Sequence, residues 1–199
     1  MASLSGDLEV PALLMATPQV MDPFFNHSVV FLLGHSEEGS FGFNLNRPTT
    51  VPIAEILEGM EIPWGGDPES HAYFGGPVQP QLGTILFGQG ADKDLPIPEM
   101  AKSTTEVHPG IWMTQHVDDL AFLARVPPPG FRLYLGYSGW GGGQLIDEIL
   151  RNDWILGPVI EELIFAPDPE PVWERALEAA GLDPSTLPSW TPDGDQGAN

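Results

Sequence analysis

Apolar residues enter this chain in short unbroken runs, and helical spacing comes only later. Residues 10–16, with Leu13-Leu14-Met15 at their centre, and residues 28–33 are continuous apolar or β-branched segments. That pattern predicts strands buried on both faces. Glu37-Glu38-Gly39-Ser40 interrupts it as a hairpin loop. Residues 40–46 then alternate Phe41, Phe43 and Leu45 with Gly42, Asn44 and Asn46, which predicts a return strand with one apolar and one polar face. Further strands are predicted over 72–74, 82–87, 111–114, 131–137 and 163–165. Helices are predicted over 51–57, 118–125, from the glycines at 139–143 through 150, and over 168–180 with Gly181 as its cap. Pro127-Pro128-Pro129-Gly130 forces a break before the strand at 131.

A hairpin first, and strands alternating with helices afterwards, predicts an α+β fold: a single domain around a large mixed β-sheet with helices packed on it. The domain is expected over residues 1–180. Residues 181–199 contain three prolines, small polar residues and no base, and are expected to be a Pro-rich, acidic, partly disordered tail. Trp190 within it either packs back on the body or serves as a docking anchor. An acidic loop is expected over 91–100.

Composition narrows the function. The 199 residues carry 28 acids and 7 bases, a net charge of −21. The bases are two lysines, Lys93 and Lys102, and five arginines. So few cations cannot supply the counterion release behind tight duplex binding, so direct nucleic-acid contact is disfavoured. An anionic membrane surface is disfavoured for the same reason. No stretch approaches the ~18 apolar residues of a membrane span, and the first residues lack the pattern of a secretory signal. A soluble, cytoplasmic protein is expected. With no cysteine, disulfides, thiolate metal sites and thiol nucleophiles are excluded.

The segment from Leu135 to Leu145, Leu-Gly-Tyr-Ser-Gly-Trp-Gly-Gly-Gly-Gln-Leu, invites a catalytic reading and fails its tests. A nucleophile elbow needs glycine where Trp140 stands, and a phosphate loop needs lysine where Gly142 stands. What remains is a strand, a glycine turn and a helix start, whose free N–H groups favour an anion. Ser138, Gly139, Trp140, Gly141 and Gln144 are therefore candidate binding residues. On the alternative reading Trp140 is core and the glycines are packing spacers. Asn46 and Arg47 close the hairpin's polar edge and are the other candidates. Arg47 is expected to meet an internal carboxylate or, alternatively, a ligand anion. The histidines show no metal-ligand spacing, and neither a metal nor a cofactor is expected. Asp147 and Arg151 stand four apart and are expected to pair along their helix.

Leu14-Met-Ala-Thr-Pro18, Asp22-Pro-Phe-Phe25, Ser28-Val-Val30, Gly42 through Asn46-Arg-Pro48, Gly75-Gly-Pro-Val78 and the Gly136–Leu145 segment occur in this order. Together they resemble the bacterial YqgE/AlgH family over nearly the whole chain. The resemblance implies one α+β domain with a large mixed sheet. It supplies no reaction and no catalytic residues; the label of transcriptional regulator attaches to its AlgH branch. The chain departs from the family pattern at Arg47, commonly Lys, at Gly142, commonly another small residue, and in its Pro-rich tail.

The function indicated is that of a non-catalytic binding or interaction protein with a protein or small-molecule partner. One alternative is a small-ligand-binding enzyme or sensor using the Gly-rich loop 136–144. Another is a transcriptional regulator acting through protein partners.

Overall fold

The computed structural model describes residues 8–88 and 103–187. The expected acidic loop at 91–100, and Trp190 with the rest of the tail beyond 187, lie outside the described residues. Among the described residues no helix is long and apolar enough to cross a membrane.

One curled, half-barrel sheet organises the chain, with helices packed on it. Its strands are β1 (Ala12–Ala16), β2 (Val29–Ser36), β3 (Gly39–Asn44), β4 (Pro48–Pro52), β5 (His71–Phe74), β6 (Val78–Gly88), β7 (Thr104–His108), β8 (Ile111–Thr114), β9 (Gly130–Gly141) and β10 (Trp154–Gly157). The helices are α1 (Ile53–Glu58), α2 (Val117–Leu123), α3 (Gln144–Leu150), α4 (Glu161–Ile164) and α5 (Val172–Ala179). The order across the sheet is β10-β1-β2-β3-β9-β6-β8-β7. All these pairs are antiparallel; β5 joins β9 in parallel and carries β4 outside it. The sheet is thus mixed, as the sequence predicts.

Period-two alternation sends neighbouring side chains to opposite faces. Leu13, Met15, Val29, Phe31, Phe43 and Tyr134 turn toward α4 and α5. On the other face, Leu14, Ala16, Val30 and Leu32 meet Trp140, Trp154 and Leu145 of α3. Farther along the sheet, Ile85, Phe87, Phe131 and Leu133 pack under α1 and α2. β1 and the first half of β2 are covered on both faces, which is why their sequence is continuously apolar. Fully burying each Leu or Phe there contributes about 1.5–3 kcal/mol. Helix α5 ends as the sequence indicates: Gly181 takes φ +79°, and its N–H and that of Leu182 return to Glu178 and Leu177 carbonyls. These two bonds form a Schellman cap. Leu182 and Leu187 pack against the core beneath α5, and Pro184–Thr186 form a 3-10 turn between them.

Several predicted elements are corrected. Leu163 and Ile164 belong to α4, not to a strand; a run of three apolar residues is too short for its period to decide. The helix predicted from Val51 begins at Ile53, and Val51 and Pro52 end an edge strand instead. Phe41 keeps the alternation of its strand but is 38% exposed and belongs to none of the buried clusters. The register shifts between Leu32 and Gly34, and the Phe41 ring lies over Gly34. Arg151 pairs with Asp153 at 3.1 Å rather than with Asp147.

Candidate functional site

The glycine-rich candidates are strand, not loop. β9 continues to Gly141, and Ser138, Gly139, Trp140 and Gly141 pair with Gly42, Phe41, Ser40 and Gly39 of β3. Only Gly142 and Gly143 turn, Gly143 with φ +75°, before α3 begins. Ser138 is fully buried, and its hydroxyl donates to the Gly75 carbonyl at 2.9 Å. Trp140 is buried beside Phe25 and Trp154. Its indole N–H and that of Trp154 both donate to Glu148 Oε2, each at 2.8 Å. Gln144 Oε1 accepts the Gly141 N–H at 3.0 Å, and its amide donates to Glu148 Oε1 at 2.9 Å. The Gln144 side chain thus turns back onto the strand end, and no side chain caps the first turn of α3.

The polar edge of the hairpin is likewise internal. Asn44 donates to Ser28 Oγ at 2.8 Å and to the Phe24 carbonyl at 3.2 Å. Asn46 Oδ1 accepts the Val29 N–H at 2.9 Å, and its amide donates to the His27 carbonyl at 2.9 Å. These two side chains hold the loop that leads into β2. The Gly75 carbonyl accepts both the Ser138 hydroxyl and the Asn44 N–H, so the ends of β3 and β9 are joined there.

Arg47 differs. Its guanidinium donates to the Asn26 carbonyl, and its Nε is buried without a hydrogen-bond partner. No carboxylate lies within ion-pair distance of it among the described residues, contrary to the internal partner expected from sequence. Partial burial lowers its pKa from the ordinary arginine value, yet a guanidinium stays charged at neutral pH. Arg47 and Asn46 line a cavity of about 440 Å³ with His27 and Trp173. His27 has φ +50°, and its ring meets Trp173 edge-on at 4.3 Å.

A second, larger cavity of about 640 Å³ opens where β5 and β9 begin. Its walls are aromatic, from Trp64, Tyr73 and Phe131, and proline-rich, from Pro127-Pro128-Pro129 and Pro167. Pro48 and Pro169 line both cavities. Arg132 sits in the larger one with its guanidinium 4.6 Å from the Tyr73 ring centroid. It donates to the Ala166 carbonyl, and its Nε is buried without a partner. Neither cavity is lined by Ser138, Gly139, Trp140, Gly141 or Gln144.

Sequence reasoning missed Arg132, Tyr73 and Trp64. The available signal was the triple proline ahead of β9, which reads as a break and proves to be a wall. Proline supplies a rigid apolar surface with no N–H to satisfy, suited to lining a solvent-facing cleft. Asp67 and Glu69 also line the larger cavity, while Glu170 and Glu174 line the smaller. All four are exposed.

This chain belongs to the AlgH-like family, whose model matches residues 13–185. It is 34% identical over 178 residues to a UPF0301 protein of Myxococcus xanthus, covering 89% of this chain and 93% of that one. It is 37% identical over 177 residues to a UPF0301 protein of Cupriavidus pinatubonensis, covering 87% and 89%. The fold is similar to the solution structure of the AlgH protein from Pseudomonas aeruginosa, with a TM-score of 0.69 and 30% identity over 90% of this chain and 95% of that one. It is also similar to the crystal structure of protein DIP2367 from Corynebacterium diphtheriae, with a TM-score of 0.68 and 25% identity over 86% and 87%.

Proposed function

We propose that this protein is a non-catalytic binding protein whose recognition surface is the proline- and aromatic-walled cleft at the start of β9. One observation carries the reading. Arg132 is held in the cleft by a backbone carbonyl and the Tyr73 ring, yet a buried N–H remains unanswered. A buried polar atom without a partner calls for an explanation, a bound water or ion among them. Of five such atoms among the described residues, only the Nε atoms of Arg132 and Arg47 belong to side chains lining the two cavities. The size agrees with this, since ligand cavities run to roughly 300–1,000 Å³, and here aromatic and proline walls stand beside an arginine anchor. Ser138 takes no nucleophilic part in this reading, because its hydroxyl is buried and donates to a carbonyl.

The test is fluorescence titration with N-phenyl-1-naphthylamine, a neutral aromatic probe that brightens in apolar surroundings. Binding should occur in the native protein and disappear in Ser70→Trp, which fills the cleft from a half-buried wall position. The melting temperature of that variant should stay near the native value. Equal binding by the two proteins would refute the assignment of the cleft.

A further inference from the structure

We infer that the ligand of this cleft is an anion: a small molecule with a planar apolar body and at least one carboxylate, phosphate or sulfonate group, held by Arg132 and, at the second cavity, by Arg47. The inference rests on the reading of the cleft given above and adds the chemistry of its occupant.

With 28 acids against 7 bases, an arginine in this protein meets carboxylates in excess. Arg151 behaves accordingly and binds Asp153. The other four arginines have no carboxylate within ion-pair distance among the described residues. Arg125 and Arg175 are exposed to water, whereas Arg47 and Arg132 are half-buried. Each is fixed instead by a neutral backbone carbonyl, Asn26 for Arg47 and Ala166 for Arg132. A guanidinium has five N–H donors in a planar fork. One carbonyl leaves most of that fork unused, and in both residues the Nε is buried and unanswered. Charge-assisted, two-pronged bonds to a planar acid group are the strongest use of such a fork.

The two arginines lie in cavities that share the walls Pro48 and Pro169. The occupant's body is read from the larger cavity, which Trp64, Tyr73 and Phe131 line, with Trp64 more exposed than the other two. Arg132 already stacks on Tyr73, so an acid group held by Arg132 would put an attached ring against the same aromatic wall. The exposed carboxylates of Asp67, Glu69, Glu170 and Glu174 oppose an anion only weakly. They line the same cavities and so do oppose it, but they face water, where the effective dielectric is high and each repulsion is smaller than between buried charges.

The experiment pairs two probes of similar shape. 8-Anilino-1-naphthalenesulfonate carries an acid group, and N-phenyl-1-naphthylamine does not. Both are titrated into the native chain, Arg132→Gln, Arg132→Lys and Arg47→Gln. The sulfonate should bind the native protein and lose about tenfold in affinity in Arg132→Gln, with Arg132→Lys between them and Arg47→Gln losing less. The neutral probe should change by less than about twofold in every variant, a control on cleft shape. If Arg132→Gln does not fold, salt decides in the native protein. Raising ionic strength from about 0.05 to about 0.5 M should weaken the sulfonate several-fold and leave the neutral probe unchanged. Sulfonate binding indifferent to both arginines and to salt overturns the inference. So does an equal loss of both probes. A neutral probe blocked by Ser70→Trp, with no sulfonate binding, removes the anion and keeps the cleft; failure of both probes removes both.

Discussion

The two ends of β9 are opposites. At its carboxyl end, between Ser138 and Gly141, polar groups turn inward and find partners: Ser138 on Gly75, Trp140 on Glu148, and the Gly141 N–H on Gln144. At its amino end Arg132 faces a cavity with part of its donor set unused. The glycine-rich end catches the eye in the sequence, whereas the other end reads as a break after three prolines. Hydrogen-bonding capacity that the fold consumes is structural. Capacity it leaves over, in a concave and partly desolvated place, is where a ligand is to be sought. The contrast can be broken by showing that the carboxyl end tolerates loss of its partners, or that the amino end does not.

The largest expected effect is at the crossing beneath the carboxyl end. Gly76 has φ +154°, and a Cβ there would overlap the backbone of Tyr137 and Ser138. Backbone cannot move aside as a flexible side chain can. Gly76→Ala should cost at least about 3 kcal/mol or prevent folding, read by urea denaturation. A loss under about 1 kcal/mol would show that the ends of β3 and β9 are not locked there.

Next comes Glu148, whose single Oε2 accepts two indole N–H bonds. Glu148→Ala leaves both donors in a buried aromatic cluster without an acceptor and should cost about 2–4 kcal/mol. Glu148→Gln keeps one carbonyl oxygen for the indoles and should cost less than half as much. Equal costs for Gln and Ala would mean the indole bonds are not the source. Arg132→Gln should lower stability less than Glu148→Ala does; the reverse order would make the cleft arginine structural and dissolve the contrast.

Gln144 sits lower on the scale. It caps Gly141 from an exposed position, and a net hydrogen bond of that kind is worth about 0.5–1 kcal/mol. Gln144→Ala should shift the melting temperature by only a few degrees and leave probe binding in the cleft untouched. Loss of probe binding would move the functional surface back to the glycine turn.

The sequence was legible where one local rule decides. β1 and β2 announce themselves as apolar runs because both their faces are covered. Gly181 marks the end of α5 because a left-handed residue is needed there. The rest depended on distant partners. Ser138 to Gly141 reads as loop because glycine is poor in strands. It pairs because β3 presents Gly39 and Gly42 opposite, where a Cβ on either would strike neighbouring backbone. β10 gave no strand signal at Trp154, since its register is set by β1. Of the candidate residues, Asn46 and Arg47 do line a cavity, but Arg132 and Tyr73 join the site through the pairing of β5 with β9.

The smallest expected effect lies under the cleft, at Tyr134, and it tests whether an orphaned donor must cost the fold. Tyr134 is fully buried between Phe43 and Tyr73, and its hydroxyl has no hydrogen-bond partner. Burial raises its pKa well above the ordinary tyrosine value, an effect that nearby Arg132 partly offsets. In the unfolded chain the same phenol titrates near 10. Between these values the unfolded state has released a proton that the folded state retains. Stability from this group is therefore fully present below about pH 10 and is lost as pH rises further. Tyr134→Phe removes both the orphaned hydroxyl and the titration. At pH ~7 it should be neutral or stabilising by up to about 1 kcal/mol, because no bond is broken and a desolvation cost disappears. At pH ~10.5 its advantage over the native protein should be larger than at pH ~7. Urea denaturation of both proteins at the two pH values reads the difference directly. Destabilisation by more than about 1.5 kcal/mol at pH ~7 would mean the hydroxyl is bonded in solution, and the amino end of β9 would then be as internally satisfied as its carboxyl end.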